Sequence, residues 1–268
     1  MKLFSIDERE LIKTQIIDIA EKNENILSAV LVGSGAVGFT DDISDLDFYL
    51  IVNHDENIIE VMKYMREHIE KSNESIFFEQ MSERKLQIYL LQNYLEIDIG
   101  YSSIDEAEAD MERFKVMFDK TCTANRQLNE TWQKYKEINQ IIDVRNKYQK
   151  YAVDTWHFLF HAATALKRGQ YWRCAAEMEI ARSRIIEIKG YKYSLATKRW
   201  RDVDKFPPKE LANIQKTLVT EFTQEALLKN LLCLVDLIYD ELEEHFHDDI
   251  AVKRKHVTEY ITSTIKIK

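Results

Sequence analysis

Gly33-Ser34-Gly35-Ala36-Val37-Gly38-Phe39-Thr40-Asp41-Asp42-Ile43-Ser44-Asp45-Leu46-Asp47 is the stretch whose reading decides the fold. It holds three of the six glycines in the chain and joins two apolar runs, Ile26–Val32 and Phe48–Val52. Its letters fit two different sites. Gly33, Gly35 and Gly38 spell G-x-G-x-x-G, which binds a dinucleotide only if a helix opens directly out of the turn. Here Phe39–Asp45 is rich in Asp and Ser and has no helical apolar period, so it reads as loop and leads into a strand. Asp41, Asp42, Asp45 and Asp47 would also repel a pyrophosphate unless a cation intervened.

The second reading is a metal site. Residues i and i+2 of a strand share a face, so Asp45 and Asp47 project together at the start of the strand Asp47–Val52, with Leu46 turned into a core. Two carboxylates at that spacing suit hard cations such as Mg²⁺. Asp is also common in turns, so D-x-D alone is a weak signal. Its coupling to Gly33-Ser34 at the end of the preceding strand makes it a strong one.

Gly33-Ser34 followed by Asp45-x-Asp47 on the next strand resembles the polymerase-β-type nucleotidyltransferase superfamily, with the ten-residue spacing between Ser34 and Asp45 of its antibiotic-modifying and minimal members. Gly35 is a small departure, since many members carry a bulkier residue there. The resemblance implies that Gly33 and Ser34 contact a nucleoside triphosphate, that Asp45 and Asp47 hold two Mg²⁺ ions, and that a third carboxylate lies on a later strand. Leu86–Leu91 and Tyr94–Gly100 read as two strands joined by a turn at Gln92-Asn93. In the second of them Leu95, Ile97 and Ile99 take one face, and Glu96 and Asp98 the other. Two acids on one strand face are costly unless solvated or bound to metal. The segment Ile97–Glu106 is similar to the third-acid strand of streptomycin-type adenylyltransferases, which favours Asp98 as third ligand or base, with Glu96 as its rival.

Composition limits the alternatives. The 268-residue chain, 45% hydrophobic, can bury a sizeable core and favours two domains or one large one. It has no run of about eighteen uncharged apolar residues to span a membrane. Met1–Arg9 has no apolar signal core, and Cys122, Cys174 and Cys233 are odd in number and far apart, so free thiols in a reducing cytoplasm are expected. His157 and His161 are spaced for one helix face without the Glu of a metalloprotease helix, and read as structural. The cluster His245, His247, Asp248 and Asp249 reads as a solvated helix end.

The charge is uneven. Residues 1–120 carry 12 Lys and Arg against 26 Asp and Glu, net −14; residues 121–268 carry 25 against 20, net +5, which gives −9 for the chain. The acidic part holds the strand signals, with helices expected over Ile6–Glu21, over Asn57–Lys71, and from Asp105 with Glu108 closing a capping box. The basic part is helical in pattern: Thr131–Lys167 ended by Gly169, Tyr171–Ile188 before Gly190, Lys209–Val219 after Pro207-Pro208, and Phe222–Phe246. The expectation is an α+β chain, with a nucleotidyltransferase domain with a small mixed sheet over 1–120 and an all-α helical domain over 121–268.

Basic residues gather from Arg182 to Lys209, and Leu166–Arg173 resembles the helix-turn-helix joint in helical domains of lincosamide and aminoglycoside nucleotidyltransferases. Arg173, Arg182 and Lys198 are the phosphate candidates, against the alternative of a solvated charged face. The resemblance implies transfer of a nucleoside monophosphate, AMP first, from ATP or another NTP to a hydroxyl of a small molecule such as an aminoglycoside or lincosamide. An acidic first domain favours a cationic acceptor and disfavours nucleic acid, which needs a continuous basic groove. The alternative is an antitoxin or regulator of the same fold acting on a protein partner. No feature of the sequence fixes the oligomeric state.

Overall fold

The computed structural model describes residues 3–39, 41–109, 113–141, 144–244 and 247–265. Two compact units divide between Asn139 and Gln140.

The first unit begins with a reciprocal cap. The Ser5 hydroxyl accepts from Glu8 N (3.2 Å) and the Glu8 carboxylate accepts from Ser5 N (2.7 Å), which satisfies two N-terminal donors and starts helix α1, Ile6–Lys22. Helix α2, Ile58–Ser72, buries Ile58, Val61, Met62, Met65 and Ile69, one stripe at helical spacing. The strands are β1 (Ile26–Val32), β2 (Leu46–Val52), β3 (Ser75–Met81), β4 (Leu86–Leu91), β5 (Glu96–Ser103) and β6 (Phe114–Asp119). They form one mixed sheet in the order β3-β4-β5-β2-β1-β6, in which β2 and β5 are parallel and every other pair is antiparallel.

Alternation along the central strands sorts the two faces. Leu46, Phe48, Leu50 and Val52 of β2, with Ile97 and Ile99 of β5, pack with Ile12 and Ile16 of α1 and the stripe of α2. The opposite face carries Asp47, Tyr49 and Ile51, and Ile51 packs with Val30 against Ala124 and Leu128 of helix α3, Ala124–Ile141. The side chains that matter for function therefore sit on the face that α1 and α2 leave uncovered.

Two strands that the sequence reading did not mark, and one helix that it expected, are explained locally. Strands β3 and β6 lack a clear alternation because both are sheet edges with half-exposed side chains. The helix expected from Asp105 is a single 3-10 turn, Ile104–Glu106. The chain beyond it is bonded to α3 instead: Gln127 Nε2 donates to Ile104 O (2.6 Å) and Ala107 O (3.0 Å), and Ala109 N donates to Thr131 Oγ1 (3.0 Å). Those bonds take the backbone groups a helix would need.

The second unit contains α4 (Val144–Lys167), α5 (Tyr171–Tyr193), α6 (Pro208–Gln215), α7 (Gln224–Glu243) and α8 (His247–Thr264). Its core joins Leu159, Ala163 and Leu166 of α4 to Met178, Ala181 and Ile185 of α5 and to Leu231, Leu234 and Ile238 of α7. Gly169 has φ +71°, as its place after the last turn of α4 requires. Gly190, by contrast, does not end α5. An added Cβ there would collide with Thr197 Oγ1, so the glycine is a close-approach position, and Ser194 at φ 55° ends the helix. His245 of the acidic tail cluster lies outside the described residues, and His247 opens α8. The cysteines are unbridged: Cys122 is exposed, Cys174 buried and Cys233 half-buried. No helix among the described residues is long and apolar enough to cross a membrane.

Candidate functional site

The glycine turn sits where β1 ends. Residues Gly33–Val37 make a short 3-10 helix, and the chain then runs through a loop into β2 with no α-helix between. A dinucleotide site needs that helix, so the structure removes the fingerprint reading. Gly33 has φ +64° and its N–H donates to Arg113 O (3.1 Å). A Cβ on Gly33 would stand 2.9 Å from Asp47 Oδ2. The residue is thus required to be glycine twice, by its left-handed backbone and by the carboxylate against it.

Asp47 stands on β2 opposite Asp98 on β5, in register across the parallel pair. Both are half-buried, and Glu96 is exposed at the start of β5. Asp45 is half-buried just before β2, and Leu46 between the two Asp residues is fully buried on the helix-covered face. Burial, then the negative charges of Glu96 and Asp45, push the Asp98 carboxyl up to about 6. Its Oδ1 is buried and has no hydrogen-bond partner among the described residues. An orphaned carboxylate oxygen held among other acids is costly without a positive partner, and a cation would relieve it. The donors are all hard oxygens, the set that Mg²⁺ takes. Among the described residues no group of three His, Cys, Asp or Glu side chains already stands gathered for a metal. The acids are brought to one end of the sheet face without being closed around a point.

A cleft of about 530 Å³ extends from Asp47 and Asp98 over the same face. Its walls are Val30, Val32, Phe114 and Leu128, and Glu108 is an exposed acid on its lining. The sequence reading gave Glu108 to a helix cap and missed it here; only the placement of Ala107 and Ala109 against α3 reveals its position. Tyr49 lies in the cleft floor, bonded to Ser102 and to the Glu108 backbone, and burial raises its pKa.

The basic candidates lie in the second unit. Arg182 is 2% exposed; its Nε donates to Thr217 Oγ1 (2.9 Å), and its other nitrogens bond the Thr217 carbonyl and Glu179. It is a core arginine with its donors committed, which corrects its reading as a phosphate ligand. Arg173 is exposed and lies 3.6 Å from Glu177, and Lys198 is exposed in the turn Lys198–Trp200. The His157 and His161 rings lie 4.2 Å apart between centroids and are tilted by 42°, with His161 Nδ1 3.8 Å from Glu177.

No protein-family profile matches the chain, and no curated protein matches it in sequence. Among solved structures it is similar to a tRNA-processing enzyme in an apo form (13% identity, TM-score 0.35, covering 98% of this chain and 80% of that one). It is also similar to a Thermotoga maritima CCA-adding enzyme complexed with tRNA (13% identity, TM-score 0.35, covering 97% and 74%).

Proposed function

We propose that the chain is a divalent-metal-dependent nucleotidyltransferase that moves a nucleoside monophosphate, AMP first, from a triphosphate to a hydroxyl of a small molecule. The observation that carries this reading is the placing of Asp47 and Asp98 side by side on parallel strands, against the backbone of Gly33, with an unbonded Asp98 oxygen among further acids.

Gly33 and Ser34 would receive the triphosphate, Ser34 through its hydroxyl and N–H. Asp45, Asp47 and Asp98 would hold Mg²⁺. When bound, the metal neutralises the triphosphate and stabilises the attacking and leaving oxygens of an in-line displacement. The acceptor oxygen forms a bond to the α-phosphorus, the bond to pyrophosphate breaks, and the acceptor proton goes to Asp98 or Glu96. The acidic first unit favours a cationic acceptor, of which aminoglycosides and lincosamides are the first to try.

The test is incubation with ATP, Mg²⁺ and a panel of aminoglycosides, lincosamides and an RNA oligonucleotide, read by mass. A mass increase of one AMP on a small molecule, absent in Asp47→Asn with an unchanged circular dichroism spectrum, supports the reading. Full activity in Asp47→Asn overturns the site, and transfer to the RNA alone overturns the acceptor class.

A further inference from the structure

The loop between the glycine turn and the acids is held from behind by a buried arginine. Arg9, on the second turn of α1, is 1% exposed. Its Nη1 donates to Ser44 O (3.1 Å) and its Nη2 to Asp41 O (3.0 Å). Both acceptors are main-chain carbonyls, so the guanidinium serves as a brace on the backbone, and its charge also adds to the bonds from Ser44 and Ile43 that hold the Asp41 carboxyl below its ordinary value. On the other side of the loop the Asp41 carboxylate accepts from Ile43 N (3.0 Å), Ser44 N (2.7 Å) and Ser44 Oγ (2.7 Å). The Asp41–Ser44 backbone is thereby fixed on two sides. Ser44 is the residue before Asp45, so its clamped carbonyl sets the peptide plane from which Asp45 and then Asp47 emerge.

The same guanidinium lies over the Phe39 ring, 3.8 Å from its centroid. Phe39 in turn packs against Gly35, where an added Cβ would come within 3.1 Å of Phe39 Cζ. One continuous stack, Gly35–Phe39–Arg9, therefore joins the glycine turn to the loop that delivers the acids. Burying a guanidinium is expensive unless its donors are used; both Nη groups are used on the one loop whose path sets the position of the acids, while Nε is buried with no hydrogen-bond partner among the described residues.

Resting on the reading of Asp45 and Asp47 as metal ligands, we propose that Arg9 is a positioning residue that holds those carboxylates in register with the glycine turn, with Phe39 as its second support. It touches neither metal nor nucleotide and acts only through the Ser44 and Asp41 carbonyls. A lysine could not replace it, because a single ammonium lacks the planar fork that spans two carbonyls.

The experiment measures Mn²⁺ binding by electron paramagnetic resonance, in the presence of a non-hydrolysable ATP analogue, on the full chain as wild type, Arg9→Met, Arg9→Lys, Phe39→Leu and Asp47→Asn, each well below its own melting temperature. Outer-shell supports of metal ligands are worth about 10–100-fold in affinity. Arg9→Met and Arg9→Lys are expected to weaken Mn²⁺ binding about tenfold or more, Phe39→Leu by less, and Asp47→Asn to abolish it. Arg9→Met and Phe39→Leu that melt earlier yet bind Mn²⁺ as the wild type does would reduce Arg9 to a purely structural residue and overturn the proposal. Should Arg9→Met fail to fold, Phe39→Leu decides, since it removes only the ring and keeps the Arg9 guanidinium and its two carbonyl bonds. Wild-type Mn²⁺ binding that is indifferent to Asp47→Asn would instead overturn the metal site itself, and the proposal with it.

Discussion

Asp47 and Asp98 are cross-strand neighbours on a parallel pair, and the Asp98 carboxyl is pushed up to about 6 by burial and by Glu96 and Asp45. The protein thus carries an acid whose charged form it disfavours in the absence of a cation, a state that stability and activity should report with opposite signs.

Asp98→Asn should stabilise the metal-free protein at neutral pH while abolishing transfer. The folded pKa of about 6 lies above the unfolded value of about 3.9, so Asp98 costs nothing at pH 3, becomes progressively destabilising as the pH rises from about 4 to 6, and carries its full cost above that. After allowance for solvent screening the gain in Asp98→Asn at pH 7.5 is on the order of 1–2 kcal/mol. Thermal melts from pH 4 to 8 without metal should show the variant and the wild type diverging towards neutral pH. Saturating Mg²⁺ should raise the melting temperature of the wild type only. Parallel pH profiles would contradict this.

Gly33→Ala should cost far more activity than stability. The left-handed backbone at φ +64° costs about 1 kcal/mol in an alanine, and its methyl group meets Asp47 Oδ2 at 2.9 Å. The carboxylate must move, so transfer should fall by roughly a hundredfold or more, as displacement of about 1 Å in a catalytic group does. Steady-state kinetics beside a melt separates the two effects.

Arg182→Ala should lower stability by about 2–3 kcal/mol and leave the apparent affinity for ATP unchanged, because it strips the buried Thr217 carbonyl and hydroxyl of their partner. A rise in the KM for ATP with stability unaltered would restore it as a phosphate ligand.

Lys189→Met should be the most destabilising of these changes, by about 3 kcal/mol or more. Lys189 is 4% exposed and bonds Glu241 at 2.6 Å and Glu210 at 2.8 Å. Burial opposes the charge on both sides of the Lys189–Glu241 pair, yet the hydrogen bonds and opposite charges prevail, raising the Lys189 pKa and lowering that of Glu241. The Glu241 contribution is present above its unfolded pKa and lost as the pH falls through the lower folded value. The Lys189 contribution is present below its unfolded pKa and lost as the pH rises through the higher folded value. Urea midpoints across pH 4 to 10 should show a plateau in the wild type that Lys189→Met flattens and lowers.

Much of this was legible in the sequence where a pattern is local. The apolar run Ile26–Val32 became β1 over the same residues, and β2 begins one residue earlier than expected, at Leu46. The α+β order and the helical character of the second half also read directly. What escaped depends on partners distant in the chain. Edge strands β3 and β6 carry half-exposed side chains, so alternation does not mark them. Glu108 enters the cleft lining only because α3 side chains bond the chain on either side of it. Gly190 has the look of a helix stop and is instead spacing for Thr197, and Arg182 has the look of a surface cation and is bonded inward. In each case a residue type with a strong local meaning was claimed by a tertiary contact.

The strand order has a consequence for how the site comes into being. β5 lies between β4 and β2 in the sheet, and in the chain it follows α2 and the β3–β4 hairpin. A chain emerging from the ribosome as far as the hairpin would own the glycine turn and both early acids and still lack their neighbour. If the acids hold a metal as proposed, the set is completed only by the last internal strand of the sheet in chain order.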